Sequence, residues 1–352
     1  AELIAMDMTD GATGALPEGV SGRVPAVSIS KADGEAMAAA GTKKLTVSAE
    51  QGIVASVIGG QISSFSSWGV APNLTLAPDI TAVGGNVYST VDRGQYDVMS
   101  GTSMATPQIA GIAALVMEYL HEKYPDAPDG SLRSMAEALL MSTAEPVVGS
   151  ASKVEASPRQ QGSGLVNALS AVTSEAYLTV GGHKPKVSLG DHGAGSYVFS
   201  FEVHNFSQAE KRYTLSASLL TEDVTNTGGI DFMAGQDRAL SGSVTFDKDT
   251  VVVPAGGIAN VTVTVQLSEE DKVWTDEHFE NGIYVEGFVT LTNAEEDGVD
   301  AVFKILLHVL DVGIGKGNGD VHMGPGICSD GDGFGCIHLG IQLIGELFHE
   351  IL

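Results

Sequence analysis

The spacing of hydrophobic residues changes once along this 352-residue chain, at about Ser174. Beyond that residue, apolar and polar side chains alternate. In SYVFSFEVHN the apolar side chains share one face: Tyr197, Phe199, Phe201 and Val203. The same period of two recurs in VTVTVQL (261–267) and IYVEGFVTLT (283–292), with turn residues between. Several short alternating segments predict an all-β sandwich over residues 174–310.

Before Ser174 the hydrophobic spacing is helical. In MATPQIAGIAALVMEYLHEK the apolar residues recur at steps of four, three and four: Ile109, Ala113, Val116 and Leu120. LRSMAEALLMSTAEPV (132–147) predicts a second helix stopped by Pro146, and SPRQQGSGLVNALSAV (157–172) predicts a turn and a third helix. The β-branched residues and glycines of 62–69 and 76–90 predict strands and tight turns. Residues 56–173 therefore read as α/β, a parallel sheet with helices.

Composition excludes several classes of function. The 44 acidic and 18 basic side chains give a net charge of -26, which disfavours nucleic acid and anionic membranes as partners. No apolar run approaches the roughly 20 residues of a membrane-spanning segment. The two cysteines, Cys328 and Cys336, are confined to the end of the chain, and the six histidines from His204 onward show no metal-ligand spacing. The sequence therefore predicts no cofactor and no metal.

The run GTSMATP (101–107) is the stretch that indicates a chemistry. A serine hydroxyl needs a neighbouring base, an orienting acid and an oxyanion site to become a useful nucleophile. Pro107 lacks an N–H and fits only near the start of a helix, so Ser103 is predicted at the helix N-terminus. Gly101 and Ala105 are small enough for backbones to approach closely, and helix N–H groups can stabilise a developing negative charge. A chance turn of small residues before a helix is the alternative.

GTSMATP resembles the nucleophile motif of the subtilases, with Ser103 as the attacking serine. The residues that support the motif are Gly101, Thr102, Met104, Ala105 and Pro107. ISSFSSWG (62–69) and LAPDITAVGGNVYST (76–90) resemble subtilase segments that precede this serine, except that Val83 stands where the family has proline. NGIYVEGFVTLT resembles the fibronectin-III-like domain that follows the catalytic domain in subtilases of the C5a-peptidase and lactocepin type.

The same resemblance divides the chain. VPAVSISKADGEAM (24–37) resembles the end of a protease-associated domain inserted in such enzymes, which assigns residues 1–55 to that domain; an unrelated α/β fragment is the alternative. Residues 56–173 are then the C-terminal half of a subtilisin-like catalytic domain, followed by the sandwich at 174–310. Residues 311–352 resemble nothing in the family, and we interpret them as an atypical tail that could be artefactual.

The resemblance implies a serine endopeptidase that cleaves protein or peptide substrates through an acyl-enzyme on Ser103, secreted or in the cell envelope. The backbone N–H of Ser103 would be one oxyanion donor. Subtilase chains run in the order Asp, His, Ser, so the catalytic Asp and His and the oxyanion Asn are expected in a missing N-terminal half, without which the fragment would be inactive. His121 is five helical turns from Ser103, and His192 in DHGAGS lies after the serine in a predicted surface turn. A catalytically degenerate cell-surface binding module is the alternative.

Overall fold

The computed structural model of this chain describes residues 3–6, 26–29, 31–41, 59–72, 75–191, 195–279, 282–293 and 303–311. It divides into two compact units, residues 1–60 and residues 61–352. The tail at 311–352, with both cysteines, falls almost wholly outside the described residues.

The described residues of the first unit form two short strands and one helix. Strand β1 (Leu3–Met6) pairs in parallel with β2 (Ala26–Ile29), so that Leu3 lies opposite Ala26. Helix α1 (Lys31–Ala39) follows β2 after one residue. The short apolar runs and glycine-rich turns of residues 1–54 favour short strands and one small helix, and these elements confirm that expectation. KKLTVSAE (43–50) lies outside the described residues.

Residues 61–173 are mainly helical in their second half. The elements are β3 (Val87–Val91), β4 (Gln95–Met99), α2 (Thr102–Lys123), α3 (Asp129–Ser142), α4 (Pro158–Gln161) and α5 (Ala168–Thr173). Strands β3 and β4 form an antiparallel hairpin. Within these residues the predicted parallel pairing is present as a single bridge between Thr81 and Leu165. ISSFSSWG forms turns and bends without a strand.

Helix α2 buries the face that its sequence predicts. Its residues Ile109, Ala113, Val116 and Leu120 are all buried. They lie in or beside a cluster with residues of α3 and α5, among them Leu132, Leu139 and Ala171. One detail differs from the prediction: Pro107 is the sixth residue of α2 and lies in its second turn. Its missing N–H leaves the Ser103 carbonyl without the usual i+4 donor.

The sandwich follows at residue 176. Its strands are β5 (Ala176–Thr179), β6 (Lys186–Asp191), β7 (Ser196–Asn205), β8 (Lys211–Thr227), β9 (Ile230–Ala239), β10 (Ser243–Phe246), β11 (Thr250–Val253), β12 (Ile258–Gln266), β13 (Ile283–Asn293) and β14 (Phe303–Asp311). One sheet has the order β10-β12-β7-β5 and the other β11-β8-β13-β14-β6, with β9 on β8. Helix α6 (Glu269–His278) joins β12 to β13 and begins with a capping box on Ser268.

The alternation in β7 is confirmed, because Tyr197, Phe199, Phe201 and Val203 are buried in the sandwich core. Strand β13 departs from simple alternation. Its outer face is also buried, and Phe288 of that face packs with Leu220, Leu76 and Met141. Leu76 and Met141 belong to residues 61–173, so a small apolar cluster joins that region to the sandwich. None of the helices in the described ranges has the length and apolarity needed to cross a membrane.

Candidate functional site

Ser103 is the second residue of α2, and its side chain is exposed to solvent. Strand β4 ends at Met99, two residues separate it from Thr102, and α2 begins there. The serine thus lies on a strand–turn–helix connection, as the sequence predicts. Gly101 precedes the helix with φ 156° and ψ 160°, a backbone conformation open essentially to glycine. This requirement explains the glycine at the start of the motif.

Ser100 and Gly101, which join β4 to α2, form what we call the serine turn. Contacts to the segment 76–84 hold this turn in place. The Gly101 N–H donates to the carbonyl of Gly84 over 2.8 Å. A Cβ added to Gly84 would lie 2.8 Å from the Gly101 carbonyl oxygen and 3.6 Å from Cβ of Ala105. One turn further along α2, Gln108 Nε2 donates to the Val83 carbonyl over 2.7 Å. The small residues of the motif therefore permit close packing of two backbones.

The first turn of α2 leaves a backbone donor available next to the serine hydroxyl. The Met104 N–H donates to the Gly101 carbonyl over 3.0 Å, and no side chain caps the helix. In the described part of the chain no group accepts a hydrogen bond from the Ser103 N–H. Thr106 Oγ1 donates to the Thr102 carbonyl over 3.0 Å, away from this end. A free N–H at the positive end of a helix suits a developing oxyanion.

Three histidines of the described ranges have side-chain partners away from the serine. His121 contacts Asp129 at 3.0 Å on α2's far end. His204 contacts Thr179 and stacks on Tyr177, and burial holds the pKa of this imidazole below its ordinary value. His278 contacts Asp231 at 2.6 Å. Among described residues none of these imidazoles hydrogen bonds to Ser103, and His192 lies outside the description.

A buried ionic cluster joins the helical region to the sandwich, and sequence reasoning missed it. Arg159 of α4 contacts Glu222 at 2.7 Å and Glu286 at 3.1 Å. The Ser157 hydroxyl donates to Glu286 over 2.6 Å, and its backbone N–H donates to Asp237 over 2.8 Å. Burial lowers the pKa of Arg159, but the two glutamates outweigh it and hold the pKa above its ordinary value.

The pKa of Asp237 is also shifted within this cluster. Burial, helped by the neighbouring charges of Glu286 and Glu222, raises the pKa of its carboxyl to about 7, against the lowering effects of the Ser157 N–H and Arg159. Its second oxygen, Oδ1, is buried without a hydrogen-bond partner in the described residues. Three carboxyl groups lie near a single guanidinium, so the charged form of Asp237 is disfavoured.

A groove of about 610 Å³ lies between α3 and the sandwich, lined in part by Met135, Tyr177, Lys184 and His204. No residue of GTSMATP lines it. Within the described ranges, no group of three His, Cys, Asp or Glu side chains has the arrangement of a metal site.

Two family models match the chain: the subtilase family over residues 17–164, and an Fn3-like domain over residues 187–305. The C5a peptidase of Streptococcus pyogenes is 30% identical over 270 residues, or 76% of this chain and 22% of that protein. The PI-type proteinase of Lactococcus lactis subsp. cremoris is 30% identical over 250 residues, or 67% of this chain and 13% of that protein. The chain thus spans about a fifth or less of the length of these relatives.

Among solved structures, the PapD-like domain 7 of human CEP192 overlays on 40% of this chain and 86% of that chain, with a TM-score of 0.27 and 12% sequence identity.

Proposed function

We propose that this chain, whose residues 17–164 belong to the subtilase family and whose residues 187–305 form an Fn3-like domain, is part of a serine endopeptidase with Ser103 as its nucleophile. The observation that carries the proposal is the exposed hydroxyl of Ser103 at the N-terminus of α2, beside a free backbone N–H. The family match includes this residue, and relatives at 30% identity are named as peptidases.

The reaction begins with attack of Ser103 Oγ on the carbonyl carbon of the scissile peptide bond, while the hydroxyl proton passes to a general base. The negative charge that develops on the carbonyl oxygen is stabilised by the Ser103 N–H. Collapse of this intermediate expels the amine, which takes a proton, and leaves an acyl-enzyme. Water then hydrolyses the ester and restores the Ser103 hydroxyl.

The base, the orienting acid and the second oxyanion donor are assigned to segments outside this chain, in a longer protein. The imidazoles of His121, His204 and His278 have other partners, which supports that assignment. The 352-residue chain by itself is then expected to react slowly with a fluorophosphonate. Rapid labelling of Ser103 in the isolated chain would contradict this part of the proposal.

Substitution of the nucleophile tests the function. In the intact protein, Ser103→Ala is expected to lower kcat on a protein substrate by about a million-fold, the size of loss known for removal of the serine of subtilisin. Ser243→Ala, on an exposed serine of β10 outside the motif, serves as a control and is expected to retain activity. A Ser103→Ala protein with undiminished kcat would disprove the assignment.

We also propose protein substrates and a location outside the cell or in its envelope. The names of the relatives, a peptidase and a proteinase, support the protein substrates. The inserted protease-associated domain at 1–55 remains a proposal; the subtilase match begins at residue 17, inside that range. A catalytically degenerate binding module is the second candidate. It predicts the same fold with no hydrolysis of any protein substrate by the intact protein, and the Ser103→Ala comparison distinguishes the two.

A further inference from the structure

A salt-bridge cluster connects the sandwich to the segment that supports the serine turn. The carboxylate of Asp79 lies between two lysines: Lys184 Nζ is 2.8 Å from Oδ2, and Lys186 Nζ is 2.6 Å from Oδ1. Lys186 also donates to the Leu76 carbonyl over 2.7 Å. Lys184 further approaches Glu137 of α3 at 3.7 Å. We call Asp79, Lys184 and Lys186 the Asp79 clamp.

The Asp79 clamp is charged and partly withdrawn from solvent. Burial alone would raise the pKa of Asp79, but the two lysines hold it below its ordinary value. Burial would likewise lower the pKa of Lys184, and Asp79 holds it above its ordinary value. Each carboxylate oxygen has its own ammonium partner, so the position of Asp79 is fixed by two charge-assisted contacts.

Backbone hydrogen bonds to residues 163–164 fix the segment between Asp79 and the turn before the serine. The Asp79 carbonyl accepts from the Ser163 N–H over 2.9 Å, and the Thr81 N–H donates to the Gly164 carbonyl over 2.9 Å. Two residues further on, the carbonyls of Val83 and Gly84 hold α2 and the serine turn, through the contacts to Gln108 and Gly101 described above.

We propose that Lys184 and Lys186 are positioning residues for Ser103, because through Asp79 they fix the segment 76–84 on which the serine turn rests. The sandwich then takes part in catalysis without touching substrate. A nucleophile must be held within fractions of an ångström of the attack geometry, so loosening this support lowers the rate of the chemical step more than the binding of substrate. The inference rests on the proposed function for its effect on rate.

The test is Asp79→Asn in the intact protein, which removes the charge and keeps the shape of the side chain. We expect kcat to fall by about ten- to a hundred-fold, with KM within about twofold. The Gly101 amide is expected to exchange hydrogen about tenfold faster, since its acceptor segment is less firmly held. Glu175→Gln is the matched control, because it breaks the 2.8 Å pair with Lys211 inside the sandwich and does not touch the segment 76–84. It should change neither quantity.

A second variant guards against misfolding. Lys184→Gln leaves Lys186 paired with Asp79 and is expected to produce smaller changes in the same direction. Lys184→Arg keeps the positive charge and is expected to give the wild-type kcat and Gly101 exchange rate. Unchanged kcat and unchanged Gly101 exchange in Asp79→Asn and Lys184→Gln would overturn the proposal, as would an equal loss in Glu175→Gln. The exchange measurement needs no catalysis, so it decides the positioning role even if Ser103→Ala proves the proposed function wrong.

Discussion

At the scale of single residues, the candidate site depends on the absence of side chains as much as on the serine. Gly101 adopts a backbone conformation that other residues avoid. Gly84 lies so close to the Gly101 carbonyl that a side chain would not fit between them. The sequence motif locates Ser103 because such requirements are local. The same sequence cannot reveal that Gly84 is the contact, because that depends on how a segment 17 residues earlier is folded against the turn.

Substitution of Gly84 tests this close packing. In Gly84→Ala the new methyl group would lie 2.8 Å from a backbone oxygen, so the turn must shift. We expect a loss of about 1–3 kcal/mol in the free energy of unfolding and a lower kcat in the intact protein. Gly130→Ala is the control, because no atom lies within 4 Å of a Cβ there. Urea unfolding and kcat would be measured together, and a Gly84→Ala protein equal to wild type in both would refute the contact.

At the scale of elements, helices and strands with one buried face are the ones that the sequence predicts well. Helix α2 and strand β7 show clear periods of 3.6 and 2, and their buried residues agree. Strand β13 does not follow its alternation because its outer face is also covered, by Leu76 and by Met141 of α3 at Phe288 and by α4 at Glu286. Glu286 lies at a position that alternation reads as exposed, yet its side chain is fully buried against Ser157 and Arg159.

The two faces of α2 can be compared by the same substitution. Leu120 is fully buried, whereas the side chain of Leu115 is exposed. Leu120→Ala is expected to lower the free energy of unfolding of the chain by about 2–5 kcal/mol, because it removes buried methyl groups and leaves a cavity. Leu115→Ala should change it by less than about 0.5 kcal/mol. Equal effects of the two substitutions in denaturant unfolding would contradict the packing of α2.

At the scale of the whole molecule, apolar contacts and two ionic clusters join the helical region to the sandwich within the described residues. The apolar cluster gives non-directional attraction through Leu76, Met141, Leu220 and Phe288. The Asp79 clamp and the Arg159 cluster add directional contacts. Sequence patterns show none of these pairs, since the partners lie more than 60 residues apart.

The Arg159 cluster predicts a pH dependence of stability. Folding raises the pKa of Asp237 to about 7, so the folded state favours its protonated form. The contribution of Asp237 to the free energy of unfolding is largest below the unfolded pKa of about 4. It declines as the pH rises to about 7 and stays constant at higher pH. The decline amounts to at most about 4 kcal/mol for a shift of about three pKa units. The other titratable groups facing Asp237 are Glu286, Glu222 and Arg159.

Asp237→Asn should remove this decline, because the amide is neutral at every pH. Urea titrations between pH 4 and pH 8 would give the free energy of unfolding of variant and wild type. The difference between the two is then followed as a function of pH. Asp249→Asn, on an exposed aspartate of the same sandwich, should leave the wild-type dependence unchanged. A difference between Asp237→Asn and wild type that is flat with pH would contradict the shift.

The proposed peptidase function depends most on the hydroxyl of Ser103 being the group that attacks substrate. The most direct measurement is to treat the intact protein with a fluorophosphonate and to map the adduct by peptide mass spectrometry. We expect one equivalent of label on Ser103, in parallel with complete loss of peptidase activity. Inactivation with the label on another residue, or continued proteolysis with Ser103 fully modified, would contradict the account.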